Sequence, residues 1–401
     1  MRGPLDGLVV ADFSRVLAGP FATMTLADLG ATVVKVEQPG TGDETRHWGP
    51  PWSAAGHSTY YECVNRTKRS IALDLNVSAD AIIARDLVRR ADVLVQNFLP
   101  GVMARFGLDA DAACADNPGL VYCSISGFGD GPGAMLPGYD FIVQAVGGLM
   151  SITGDESGDP QKVGVALVDV LTGKDAVIGI LAALADRVRT GRGQHLRVDL
   201  LSSLLSALVN QAAGTLATGA APVRMGNRHP SIAPYQTVRC GGGILALACG
   251  NDRQFTRLAR TLDRPQWSAD ERFATNTARL AHREALITEL EAAFAAESPD
   301  VWVERLNRAG IAAGVVGDIS SAIELAQALD LAPVIRLPGG HTPQIRHPVR
   351  YSRSQLVPPY PPPGLDADGS ALRLWLDNEA TAPPFEEKYS PPSLADRKHE
   401  T

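Results

Sequence analysis

Residues 8–37 carry, back to back, the three patterns of a βαβ unit. An apolar run over 8–12 reads as a buried strand. Phe21, Met24, Leu26 and Leu29 then recur at helical spacing over 20–29, with Pro20 suited to a first turn. Gly30 stops that helix, and the β-branched run ATVVKVE over 31–37 reads as the next strand. Strands joined by helices run parallel, so this opening commits the chain to a parallel sheet with helices on its faces. The alternation continues with a helix over 78–91, strands over 92–96 and 120–125, helices over 140–153 and 172–190, a strand over 194–199 and a helix over 200–217.

The pattern changes after that. Residues 219–234 are rich in Gly, Ala and Pro and mark a boundary. Beyond them, the segments 235–239 and 244–249 flank the turn CGGG, a hairpin signal, and helices follow over 252–262, 276–296 and 299–309 before a strand over 311–316. The expected fold class is therefore α/β: a parallel-sheet large domain, 1–218, and a smaller α+β domain, 219–330. From 331 to 401 the chain turns irregular and proline-rich, with PPYPPP at 358–363. Such a tail is expected to wrap an existing surface or a partner subunit.

Composition narrows the function. Of 401 residues, 45% are apolar and 20% charged, enough for a substantial core. With 37 basic against 44 acidic residues the net charge is −7, which argues against a nucleic-acid partner. The longest apolar runs fall short of the roughly 20 residues a membrane span needs, and Asp6 and Asp12 interrupt any signal-peptide core, so no membrane partner is expected. Five cysteines without a CxxC pair are expected to be reduced thiols in a cytoplasmic protein, and eight histidines without a paired spacing give no metal site.

Four motifs invite chemistry. A dinucleotide site would place three glycines between Asp12 and the first helix and an acidic residue such as Glu37 after the second strand. FSRVLAGP over 13–20 has one glycine, so the nicotinamide reading fails. GFGDGPG over 127–133 resembles a phosphate loop, but no Lys-Ser/Thr follows and Pro132 interrupts it; a flexible loop beside a site, or a lid, fits as well. Arg15, Lys35, Arg46, Arg105 and the run NRTKRS over 65–70 form either a solvated charged surface or a site for a phosphorylated small molecule. Asp169, closing the apolar run VGVALVD, is either an N-cap of the helix expected from 172 or a carboxylate nucleophile. An apolar setting raises such a carboxyl and a helix amino end lowers it.

Long consecutive stretches, among them PLDGLVVADFSRVLAGPFATMTLADLGATVVKVEQPGTGDETR, NRTKRSIALDL, ADVLVQNFLPGVMARFGL, PGYDFIVQAVGGLM and VGVALVDVLTGKDAVIGILAAL, resemble the class III coenzyme A transferases, a superfamily that includes the α-methylacyl-CoA racemases. The resemblance spans residue 4 to about residue 329. It implies a Rossmann-like CoA-binding large domain, a tail returning to it, and an interlocked, ring-like homodimer. It implies Asp169 as the catalytic residue, and CoA contacts from Val16, Leu17, Gln38, Leu73, Asp74, Leu75, Asn76, Asn97, Phe98, Leu99, Arg105, Gly138 and Tyr139. Gln38 and Pro137 stand where the formyl-CoA enzymes carry Arg and Lys, which shifts the expected phosphate binding to Arg105 and NRTKRS.

The implied reaction moves CoA from an acyl-CoA to a free carboxylic acid through aspartyl anhydride and aspartyl-CoA intermediates. Acyl-CoA is then a substrate, and no permanently bound cofactor is expected. The rival, racemisation beside the thioester, uses a histidine where this chain has Tyr139, and a phenol relays protons poorly at neutral pH. A non-catalytic CoA-binding protein is a third alternative. Arg46, Arg228 and His229 are expected to meet the second carboxylate of a dicarboxylic substrate.

Overall fold

Short, near-continuous apolar runs, whose successive side chains point to opposite faces, build the sheet at the centre of the large unit. In the computed structural model, which describes residues 3–378, β1 (Val9–Asp12), β2 (Thr32–Glu37), β3 (Lys68–Ala72), β4 (Val93–Gln96), β5 (Val121–Ser126) and β6 (His195–Asp199) are parallel, in the order β3-β2-β1-β4-β5-β6. Val10, Val33, Val95 and Val121 face one core with Ala22, Leu26, Val177 and Ile180; Val9, Ala11, Val34 and Leu94 face another with Leu87, Val88, Leu372 and Trp375. The strand order reverses between β1 and β4, which opens a crevice beyond their carboxyl ends.

Helices close both faces. Ala18–Asp28 takes Pro20 in its first turn and is followed by Gly30 at φ 109°. The 24-residue helix Leu167–Thr190 lies against it: a Cβ on Gly173 would come within 2.7 Å of the Ala18 carbonyl oxygen. Three expected helices are interrupted. The first becomes Asp140–Val146 and Leu149–Ile152, with Gly148 at φ 87° between them; the second becomes Leu200–Ala207 and Val209–Thr218, bent by 83°; the third becomes Asn276–Ala281 and Arg283–Phe294. Among the described residues no single helix is long and apolar enough to cross a membrane.

The chain divides into two compact units. The larger takes Met1–Leu149, Val163–Ala217 and Ala332–Thr401; the smaller takes Thr218–Leu331 together with Met150–Lys162, a stretch the sequence places in the first domain. In the smaller unit β7 (Tyr235–Cys240), β8 (Gly243–Ala248) and β9 (Ala312–Val315) form an antiparallel sheet, packed by Phe255, Leu258, Leu290, Phe294, Trp302 and Leu306. From the tail, the helix Gly369–Asp377 buries Leu372, Trp375 and Leu376 in the larger unit; the tail beyond 378 lies outside the described residues.

The NRTKRS run is corrected by the structure. It leads into β3, which sequence patterning missed, and its charges are consumed inside the protein. The Arg66 guanidinium donates Nε–H and Nη2–H to the two Asp28 oxygens (3.0 and 2.5 Å) and Nη1–H to Gln344 Oε1 (2.9 Å). Lys68, fully buried, donates to Asp12 Oδ2 (3.0 Å), Asn65 Oδ1 (2.9 Å) and the Pro20 carbonyl (3.0 Å). Arg69 pairs with Asp368 (3.3 Å) and stacks on Tyr360. The run is neither a solvated surface nor a phosphate site.

Breaking a buried pair strands its partner. Lys68→Met is expected to cost about 3–5 kcal/mol in urea unfolding, and adding Asp12→Asn should recover part of the loss. A cost below about 1 kcal/mol would show that the pair does not hold β1 to β3.

Candidate functional site

The loops that leave β1, β2 and β4 define the crevice, and polar contacts lock them together. After β1, the Arg15 N–H donates to Asn97 Oδ1 (2.9 Å) while Asn97 Nδ2–H returns a bond to the Arg15 carbonyl (2.8 Å), tying the β1 and β4 loops. Phe98 N–H donates to Gln96 Oε1 (2.8 Å). Val16 sits at φ 68°, a strained conformation for a β-branched residue, with its N–H towards Asp43 Oδ2 (3.3 Å). Lys35, fully buried, donates to both the Ser14 carbonyl and Asp43 Oδ2 at 2.9 Å. The left-handed turn is thus held from beneath by an ion pair.

Two hollows lie over these loops. One, of about 380 Å³, is lined by Val16, Leu17, Asn97, Phe98, Leu99, Gly138, Tyr139 and Asp169 together with the end of the glycine loop. The other, of about 370 Å³, is lined by Phe13, Gln38, Leu73, Leu75 and Phe98. Arg15, Glu44 and Phe98 line both. The structure therefore gathers most of the expected CoA contacts on one continuous run of loops.

The remaining candidates sit elsewhere. Asp74 and Asn76 line neither hollow, and Asn76 N–H and Nδ2–H both donate to Asp74 Oδ1 (3.0 and 2.9 Å). Arg105 also lines neither; its guanidinium stands 5.7 Å from the Phe106 ring. Arg46 is committed to Glu37 (2.8 and 2.7 Å) and lies 3.9 Å over the Tyr61 ring, so it is a structural residue and not a free receptor for a substrate carboxylate. In the smaller unit, Arg228 bridges Glu156 and Glu284, and His229 Nδ1 accepts the Ser231 N–H (3.0 Å).

Asp169 is the third residue of the helix Leu167–Thr190, which begins earlier than its sequence pattern suggests. It is therefore not an N-cap. The residue at the cap position, Ala166, makes no side-chain cap bond, and the bond comes from another helix: Asp140 Oδ1 accepts the Val168 N–H (2.8 Å) and the Asp169 N–H (3.3 Å). Fully buried Gln144 holds the arrangement, donating to Asp140 Oδ2 (2.7 Å) and accepting the Val163 N–H (2.9 Å).

Sequence reasoning missed this clamp, although Asp140 and Gln144 show the i, i+4 spacing of a carboxylate with a side-chain donor. Burial raises the Asp169 carboxyl from 3.8 to about 7, with the Asp140 anion adding to the effect; the helix amino end does not offset them. Tyr60, also missed, is pushed up to about 12 by burial first and then by Asp169.

That carboxyl carries a stability signature. Its folded pKa lies above its unfolded value, so ionising it costs stability, which falls as pH rises from about 4 to about 7. Asp169→Asn should therefore stabilise the protein progressively over that window in thermal melts and by a constant amount above it. A gain independent of pH would show that the carboxyl is not held high.

Comparison with known proteins shows the family. Residues 5–369 match the model of CoA-transferase family III. A succinate–glutarate CoA-transferase of Agrobacterium fabrum is 48% identical over 288 residues, 70% of this chain and 72% of that protein. An acetyl-CoA:oxalate CoA-transferase of Acetobacter aceti is 40% identical over 93% of this chain and 95% of its own length. The crystal structure of a CaiB/BaiF family protein from Brucella suis, 43% identical, superposes over 94% of this chain and 100% of that one with a TM-score of 0.84. A Rossmann-like sheet whose switch-point crevice is overlooked by one desolvated carboxyl is thus found in a chain that belongs to CoA-transferase family III and is an enzyme of that class.

Proposed function

We propose that the enzyme exchanges CoA between dicarboxylic acids, with Asp169 as the covalent nucleophile. The observation that carries this reading is the raised Asp169 carboxyl on the wall of the hollow that also holds Val16, Asn97 and Gly138. A carboxylate stripped of water is more basic and more nucleophilic than one in solution, and near neutral pH a substantial fraction is ionised. The names of the relatives, which specify succinate, glutarate and oxalate, support dicarboxylates as the substrate class.

In the proposed sequence an Asp169 oxygen attacks the donor thioester carbonyl. The C–S bond breaks, giving a mixed anhydride and the CoA thiolate. The thiolate then attacks the aspartyl carbonyl of the anhydride and expels the donor acid as its carboxylate, leaving aspartyl-CoA. The acceptor carboxylate repeats the first step on that thioester, and the returning thiolate releases the new acyl-CoA and restores Asp169. Each step trades one activated acyl bond for another. The tetrahedral oxyanions are assigned to backbone N–H groups beside Gly127 and Gly138, which line the same hollow as Asp169.

The same reading makes the working unit an interlocked homodimer. Supporting it, Ile178, Val188, Leu205, Val209 and Leu216 are apolar side chains exposed along consecutive helices of the isolated chain.

The test is a panel pairing succinyl-CoA with dicarboxylic and monocarboxylic acceptors in deuterated water. CoA exchange is expected with kcat/KM at least about 10-fold higher for dicarboxylates, and none in Asp169→Ala. Deuterium entering the carbon beside the thioester without acyl exchange would replace transfer by racemisation.

A further inference from the structure

The two hollows contain few positive charges for a ligand that carries a pyrophosphate and a further phosphate. Among the described residues lining them, the basic side chains are Arg15, Lys35 and His47. Lys35 is fully buried and spent on Asp43 and the Ser14 carbonyl, and the His47 ring nitrogen Nε2 lies 3.1 Å from the Thr41 carbonyl oxygen. Arg66 and Lys68 are internal, and Arg105 lines neither hollow.

Arg15 differs from all of these. It lines both hollows, and its side chain is 48% exposed. Its backbone is pinned on both sides by Asn97, so the residue has a fixed origin at the switch point. Its guanidinium stands 5.2 Å from the Phe98 ring, and Nη1 lies 3.1 Å from Glu44 Oε1, an exposed ion pair of the kind that exchanges partners readily.

We propose that Arg15 is a phosphate-binding residue of the CoA site, releasing Glu44 to take a phosphate group when CoA occupies the crevice. A guanidinium offers paired N–H donors matched to phosphate oxygens, and Arg15 and the Phe98 ring it approaches line both hollows. The assignment rests on the reading of CoA thioesters as substrates. It places the charge that Gln38 and Pro137 do not supply on the β1 loop, and it gives Arg15 no part in the chemistry at Asp169.

Titration calorimetry with free CoA, dephospho-CoA and pantetheine tests it on the full-length enzyme. Arg15→Met is expected to weaken CoA about 10- to 100-fold, leave pantetheine unchanged, and be partly rescued by Arg15→Lys. If dephospho-CoA loses as much as CoA, the pyrophosphate is the group held; if it loses nothing, the further phosphate is. Equal losses for CoA and pantetheine, or none for either, would overturn the assignment. An enzyme that binds CoA through Arg15 yet transfers no acyl group would sink the proposed reaction and leave the binding role standing.

Discussion

Asp12 ends β1 with its carboxylate fully buried, and the architecture of the crevice depends on what surrounds it. Burial alone would raise the carboxyl, but Lys68, Lys35 and the hydroxyls of Ser14 and Thr23 bring it down to about 2. Burial pushes the Lys68 ammonium down to about 8 against the pull of Asp12, so it remains charged at neutral pH. From this centre the contacts run outward: Lys68 ties β1 to β3, Lys35 ties β2 to the β1 loop and to Asp43, and Asp43 supports Val16 in its left-handed turn. Buried charges are costly unless each finds a partner, so a chain that keeps this many beneath one loop fixes that loop closely.

The opposite electrostatic logic governs Asp169. Asp12 is fully buried and surrounded by cations; Asp169 is half-buried, with another carboxylate, Asp140, beside it. The cap that Asp140 supplies to the Leu167–Thr190 helix is what brings the two anions together. One carboxylate is therefore held as an anion that organises the loops, and the other is kept basic. The difference comes from neighbours contributed by distant parts of the chain, since both residues are aspartates at the ends of apolar runs.

That contrast explains what the sequence reveals and what it hides. The βαβ opening, the hairpin at CGGG and the long helix near 172–190 are legible because local apolar spacing and glycine placement decide them. β3 is not, because Lys68 and Arg69 look like surface until Asp12 and Asp368 are brought to them by the fold. The start of the Leu167–Thr190 helix is hidden for a similar reason, its cap lying on another helix. The kink at Val209 needs φ 34°, a conformation that a β-branched residue does not advertise. Asp169 itself stands out only as a lone acid after apolar residues, and its elevated pKa depends on tertiary burial.

The central claim is that an oxygen of Asp169 becomes covalently bonded during turnover. Trapping with hydroxylamine while succinyl-CoA is being consumed, followed by peptide mass spectrometry, tests it most directly. The account predicts a hydroxamate on the peptide containing Asp169 that appears only when the thioester is present. Continued exchange with that peptide unmodified, or with alanine at position 169, would contradict it.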